Sequence, residues 1–172
     1  MQRPTAVTIF GILNMVFAVF GFIGLIASMA MFFLPASSSN PVMKVINESP
    51  TYATWLKVCI PLGVLSSAAL LTAGIGLLGL KSWARKLSIA YAIYAIVFGI
   101  LATVVNSIFL TQPMLEQARQ QPGPEATGAA IGGAIGGTIG GCLGLIYPVL
   151  LLIFMLRGNV VAAFRPSVPP PA

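Results

Sequence analysis

The stretch GAAIGGAIGGTIGGCLG, residues 128–144, repeats in fours. Glycine stands at Gly128, Gly132, Gly136, Gly140 and Gly144, and a second row holds Gly133, Gly137 and Gly141. A third row is small as well: Ala130, Ala134, Thr138 and Cys142. Only Ile131, Ile135, Ile139 and Leu143 are bulky. Residues four apart on an α-helix lie almost above one another, drifting about 40° per step. The segment is therefore expected to form a thin helix with one large ridge and a broad smooth face. A second backbone can come very close to such a face, which is the small-xxx-small packing signal of membrane helices. Interior glycine disfavours a helix in water by about 1 kcal/mol against alanine. In lipid the backbone has no other hydrogen-bond partner, so the helix should persist.

The rest of the chain extends this reading. Of its 172 residues, 58% are hydrophobic and 7% charged, and mean hydropathy is +0.97. A soluble domain carries about 25% charged residues, so this chain could not cover itself with a polar surface. The expected fold is an all-α membrane protein: one domain of four transmembrane helices in an antiparallel bundle. The spans are placed at about 6–34, 56–80, 87–110 and 128–156. The first is too long for a signal-peptide core of about 7–15 residues and is expected to be retained. Lys81 to Lys86, KSWARK, is a tight basic turn, so spans two and three should be antiparallel neighbours. Trp83 and Trp55, the latter with Tyr52 nearby, mark interfaces.

Pro35 to Thr54 and Thr111 to Thr127 read as polar loops, with Asn40 and Pro41 suited to open a short helix. Pro61 falls in the first turns of span two, where helices tolerate proline. Pro148 offers no N–H to the Gly144 carbonyl, so a kink is expected where the glycine row ends. After Arg157 a polar tail is expected, closing in a short disordered proline-rich piece, 166–172. The first three spans carry small residues at a different period. Span one gives Gly11, Asn14, Ala18, Gly21, Leu25 and Ser28; span two gives Cys59, Leu62, Ser66, Ala69, Ala73 and Gly76; span three gives Ser88, Ala92, Ala95, Gly99, Ala102 and Asn106. Steps of three and four suit left-handed packing near +20°, whereas the period of four in the last span suits crossing near −40°.

A net charge of +6 and a pI near 9.8 do not point to nucleic acid here, because the nine Lys and Arg are scattered at helix ends. Arg3, Lys81, Arg85, Lys86, Arg157 and Arg165 fall on one side of the expected bundle. Lys44, Lys57 and Arg119 fall on the other, with the acids Glu48, Glu116 and Glu125. The positive-inside rule then makes Lys81, Arg85 and Lys86 topology-determining and both termini cytoplasmic.

Chemistry is sparse. No Asp, Glu, Lys, Arg or His lies deep in a span, and histidine is absent altogether, so proton coupling and charged catalysis have no visible equipment. No catalytic set, cofactor or metal is expected. Asn14, Tyr91 and Tyr94 are candidates for an intramembrane polar contact, either an interhelical hydrogen bond or a pocket for a neutral solute or headgroup. Gly74 and Gly76 form a lone G-x-G inside an apolar helix, which is no phosphate loop. Cys59 and Cys142 should lie at different depths as small buried residues rather than a disulfide.

The segments RPTAVTIFGILNMVF, 3–17, and GIGLLGLKSWARKLSIAYAIYAI, 74–96, resemble bacterial four-span membrane proteins of unknown function. In these a glycine-rich second helix runs through W-x-R-[KR] into the third. The resemblance covers roughly the first 110 residues and implies a topology but no activity. The fourth span resembles the glycine-zipper helices of varied membrane proteins. The expected role is non-enzymatic, in the bacterial cytoplasmic (inner) membrane. Its expected partners are the lipid bilayer and, through helix association, a second copy of the chain or another membrane protein. The alternative is a passive channel, carrier or lipid-handling protein for small neutral solutes.

Overall fold

The computed structural model describes residues 5–33, 46–120 and 144–164, together with residues 128, 132 and 141. Among these the chain is helical throughout, without a strand. Three helices dominate: α1 (Thr5–Phe33), α2 (Pro50–Leu78) and α3 (Ser82–Asn106). A π-helical turn (Ser107–Thr111) carries α3 into α4 (Gln112–Gln120). An apolar helix α5 (Gly144–Leu156) and a short α6 (Gly158–Ala163) complete the described chain.

Three of these helices are long and apolar enough to cross a membrane. At 1.5 Å per residue, the 29 residues of α1 reach about 43 Å, against a hydrocarbon core of about 30 Å. Their outward faces are apolar too. Phe20, Leu65 and Val97 are 65%, 67% and 64% exposed, one on each long helix. A helix hydrophobic all round must be buried in protein or in lipid, and these faces are not covered by the chain.

Successive helices pack antiparallel. Gly11 of α1 lies on Gly74 of α2, where a Cβ at Gly74 would come 2.8 Å from the Gly11 carbonyl oxygen. Further along, Gly21 receives Ser67, and Gly63 receives Leu25. The small residues of α1 thus face α2, as their period implies. On α2 the contact row is Gly63, Ser67 and Gly74, one position off the row Leu62, Ser66, Ala69 and Gly76 expected from sequence. That second row serves α3: Gly76 lies under Ala84 and the Trp83 ring, at 2.5 and 2.9 Å from a notional Cβ. Helix α2 is small on two faces because it has a neighbour on each. Helix α5 lies along α3, with Gly99 against Leu145 and Gly141 against Thr103. Its other contacts are with α1 through rings, Phe10 to Phe154 at 5.0 Å and Phe17 to Tyr147 at 4.3 Å.

Several boundaries differ from the sequence expectation. Within the Pro35–Thr54 stretch residues 46–48 are already helical, and α2 starts at Pro50 because Ser49 is extended and its hydroxyl accepts the Tyr52 N–H at 3.4 Å, with Pro50 in the first turn. Pro61 consequently lies about three turns into α2, not in its first turns, and the Lys57 carbonyl loses its helix partner. The basic segment is not itself the turn. The turn is Gly79–Leu80, with Leu80 at φ 51°, and Arg85 and Lys86 belong to α3. Bonds from Lys81 N to Gly76 O and from Leu80 N to Leu77 O, each 3.0 Å, close α2 in a Schellman arrangement. At the far end of α3 no loop begins at Thr111. Pro113 has no N–H for the Phe109 carbonyl, and the chain answers by widening, with Gln112 N bonded to Ser107 O.

The stretch after Arg157 is no polar tail. It turns once and forms α6, burying Val160 and Phe164 in the main core. The proline-rich piece 166–172 lies outside the described residues, as do Asn40, Pro41 and Cys142. That core also holds Val7, Leu77, Ala84 and Met155, so the first turns of α1, the α2–α3 turn and the end of α5 meet at one end of the molecule.

Candidate functional site

Asn14 is a fully buried polar side chain, 0% exposed on the face of α1 that meets α5. Its Oδ1 accepts a hydrogen bond from the Tyr147 hydroxyl. Phe10 and Phe17 flank that ring, with centroids 6.4 and 4.3 Å away. The pair therefore sits in an aromatic sleeve between α1 and α5. Among the described residues Asn14 Nδ2 has no hydrogen-bond partner, and neither does Ser88 Oγ, also 0% exposed, on α3. An unmade bond at a buried polar group disfavours the folded state by about 1–3 kcal/mol.

The sequence places Asn14, Tyr91 and Tyr94 together as candidates for an intramembrane polar contact. Helices α2 and α5 each contact both α1 and α3, and the Asn14 partner is instead Tyr147 of α5. Tyr91 and Tyr94 line a groove of about 310 Å³ between α2 and α3 whose other walls include Leu62, Ser66 and Ala90, and Tyr91 also packs, with Tyr147, against the main core. Tyr94 also stacks on Phe98 at 5.4 Å, and Phe98 on Trp55 at 5.6 Å. Tyr147 had a signal that went unread: it is a hydroxyl in an apolar run, at a depth from the chain's common end close to that of Asn14. A second polar tie closes the opposite end, where Tyr52 Oη donates to Asn106 Oδ1 at 3.0 Å across α2 and α3.

The glycines fall into two groups. A Cβ at Gly11, Gly21, Gly63, Gly74, Gly76 or Gly99 would come within 3.0 Å of a neighbouring helix, so a side chain there would force its neighbour to shift. Within the zipper stretch Gly128, Gly132 and Gly141 are helical, and Gly144 opens α5. A Cβ at Gly141 would come 3.0 Å from Thr103 Oγ1, but one at Gly128, Gly132 or Gly144 would meet nothing within 4 Å. Gly133, Gly136, Gly137 and Gly140 lie outside the described residues. Pro148 is buried, and α5 runs through it from Gly144 to Leu156.

No protein-family model, curated protein or solved structure matches this chain.

Of the residues expected to determine topology, one also makes a structural contact. Arg85 donates from Nε to the Met155 carbonyl at 2.9 Å, satisfying one of the carbonyls left free at the end of α5. Arg157 lies over the Phe154 ring, 4.6 Å from its centroid. Lys81 and Lys86 are exposed at the same end. The described acids, Glu48 and Glu116, are at the other.

Proposed function

We propose that this chain is a non-enzymatic, four-span protein of the bacterial cytoplasmic membrane that acts through helix–helix association, using the glycine face of its fourth span. The observation that carries this reading is the contrast among glycines. Six are crowded by the chain's own helices, whereas Gly128, Gly132 and Gly144 have open space where a side chain would go. Glycine gives a helix no advantage at an open position, since alanine favours the helix by about 1 kcal/mol in water. A close-approaching second backbone accounts for it, as in small-xxx-small pairs. Gly24 and Gly158 are open as well, but neither belongs to a glycine row. The partner is a second copy of the chain or another membrane protein. The resemblance of residues 3–17 and 74–96 to uncharacterised four-span proteins is compatible with such a role.

The test compares two sets of variants in native membranes. Replacing Gly128, Gly132 and Gly144 together by leucine is expected to abolish crosslinked species while leaving detergent thermal stability intact. Gly74→Leu should do the reverse, lowering stability through the α1–α2 contact. If the triple variant keeps the wild-type crosslinking pattern and particle size, the glycine face does not mediate association.

A second reading rests on the unpaired Asn14 Nδ2 and Ser88 Oγ, which a neutral polar solute could satisfy. It predicts solute flux in liposomes that Asn14→Leu reduces. An absence of flux across a solute panel would remove it.

A further inference from the structure

The geometry points to a binding site for one anionic diacyl phospholipid on the outer face of α3, its headgroup held by Lys86 and Lys81 and its two acyl chains lying on either side of Tyr94. This rests on the reading of the chain as an integral membrane protein, and is independent of the glycine face.

Two apolar grooves lie side by side on this surface. One, of about 310 Å³, runs between α2 and α3 and is walled by Leu62, Leu87 and Tyr91 among others. The second, of about 540 Å³, runs along α3 past Ile93, Val97 and Leu101. Both are lined by Ala90 and Tyr94, so they meet at Ala90 and are parted by the Tyr94 ring. That ring is held upright by its stack on Phe98. A forked depression of this kind suits a molecule with two tails joined at one end.

The joined end is where the charge is. Lys86 lies one turn before Ala90 on the same face of α3, exposed, and a lysine stem reaches back toward the headgroup region. Lys81 is exposed in the turn just below. Both described acids are at the opposite end of the molecule, so among the described residues no carboxylate side chain stands beside these ammonium groups. From Lys86 to Leu101 the helix rises about 22 Å, so the longer groove starts at headgroup level and ends just beyond the middle of a bilayer core of about 30 Å. Trp83, 47% exposed beside the lysines, sits at headgroup level. Charge complementarity thus selects an anionic lipid over a zwitterionic one. A basic residue near the surface favours anionic lipid by about five-fold.

The chain's two tryptophans report on the site: Trp83 at its mouth and Trp55 stacked on Phe98 at its depth. The full chain is reconstituted in phosphatidylcholine vesicles containing a small fraction of either phosphatidylglycerol or phosphatidylcholine brominated in the acyl chains. Tryptophan quenching is then followed against that fraction. Brominated phosphatidylglycerol is expected to reach half-quenching at a mole fraction at least about five-fold lower, and this preference should disappear in Lys81→Gln/Lys86→Gln. Ala90→Phe, which fills the shared mouth at an exposed position, should weaken it with both lysines in place. Equal quenching by the two lipids overturns the site, and an unchanged preference in Ala90→Phe overturns the grooves as its acyl seat. Efficient disulfide-linked dimers of Ala90→Cys in the vesicles would also overturn it, by assigning the face to a second copy. A chain that does not float with vesicles overturns the membrane reading itself, whereas one that floats without lipid preference overturns only this site.

Discussion

At the residue scale, the fold turns on places where one atom more or less decides the outcome. A Cβ on Gly74 would meet the Gly11 carbonyl oxygen at 2.8 Å, Met15 Cγ at 2.9 Å and Asn14 Cβ at 3.1 Å. Backbone cannot swing aside as a flexible side chain does. Gly74→Ala is therefore expected to lower stability by about 1–3 kcal/mol, measured by thermal unfolding in detergent; a variant as stable as wild type would mean that α1 and α2 are not this close. Asn14 offers a sharper test, because its amide is half satisfied. Tyr147→Phe removes the one bond it makes and leaves a buried amide with no partner at either end, which should destabilise by about 1–3 kcal/mol. The double variant Asn14→Leu/Tyr147→Phe replaces both partners by apolar groups of similar shape and should recover most of that loss. If the double variant is less stable than Tyr147→Phe alone, Asn14 has another partner. Asn14 was visible in the sequence as an isolated amide in an apolar span, but its partner was not. Depth along each helix can be counted from residue numbers, whereas which helix stands next to which depends on packing that no local pattern encodes.

At the element scale, the ends of helices were less legible than their interiors. Long apolar runs announce helices whatever lies around them, and α1, α2 and α3 occupy three of the four expected spans. Their limits depend on local chemistry that a hydropathy reading passes over. Ser49-Pro50 is a cap and first turn, and it extends α2 back through Tyr52, whose hydroxyl then reaches Asn106. Thr111 to Thr127 was expected as a loop, yet a single π-helical turn accommodates Pro113 and the helix continues to Gln120. Arg85 was read for its charge alone. Its bond to the Met155 carbonyl joins the start of α3 to the end of α5, where helix carbonyls have no partner of their own. Arg85→Met keeps much of the stem and loses that bond, so a loss of about 1.5–3 kcal/mol is expected. Because the variant keeps Lys81 and Lys86, it should leave membrane orientation unchanged. The same end is closed by α6, whose Phe164 is 9% exposed in the main core. Phe164→Ala should lower stability by about 3 kcal/mol; a neutral result would mean that residues 158–164 are a dispensable tail after all.

At the scale of the whole molecule, antiparallel packing sorts the charges before any membrane is considered. Val7, Leu77, Ala84, Met155 and Phe164 share one core, so Lys81, Arg85, Lys86 and Arg157 gather at a single end of the molecule. Tyr52 bonds to Asn106 at the other end, where Glu48, Lys57, Glu116 and Arg119 lie with balanced charge. Loops rich in Lys and Arg stay in the cytoplasm, and acidic residues contribute little to that choice. The α2–α3 turn is therefore expected on the cytoplasmic side, and α4 on the opposite one. Single cysteines test this in a background with Cys59 and Cys142 replaced by serine. Ser82→Cys should react with a membrane-impermeant maleimide only after the cells are opened, and Glu116→Cys should react in intact cells. Removing the bias should then loosen the orientation rather than the fold, since Lys81 and Lys86 are exposed and take no part in the core. In Lys81→Gln/Lys86→Gln a fraction of molecules should expose Ser82→Cys to the outside, while the thermal stability of the purified protein stays within about 0.5 kcal/mol of the parent. A uniform labelling pattern in that variant would shift responsibility for orientation to Arg85 and Arg157, whose side chains are already engaged with Met155 and Phe154.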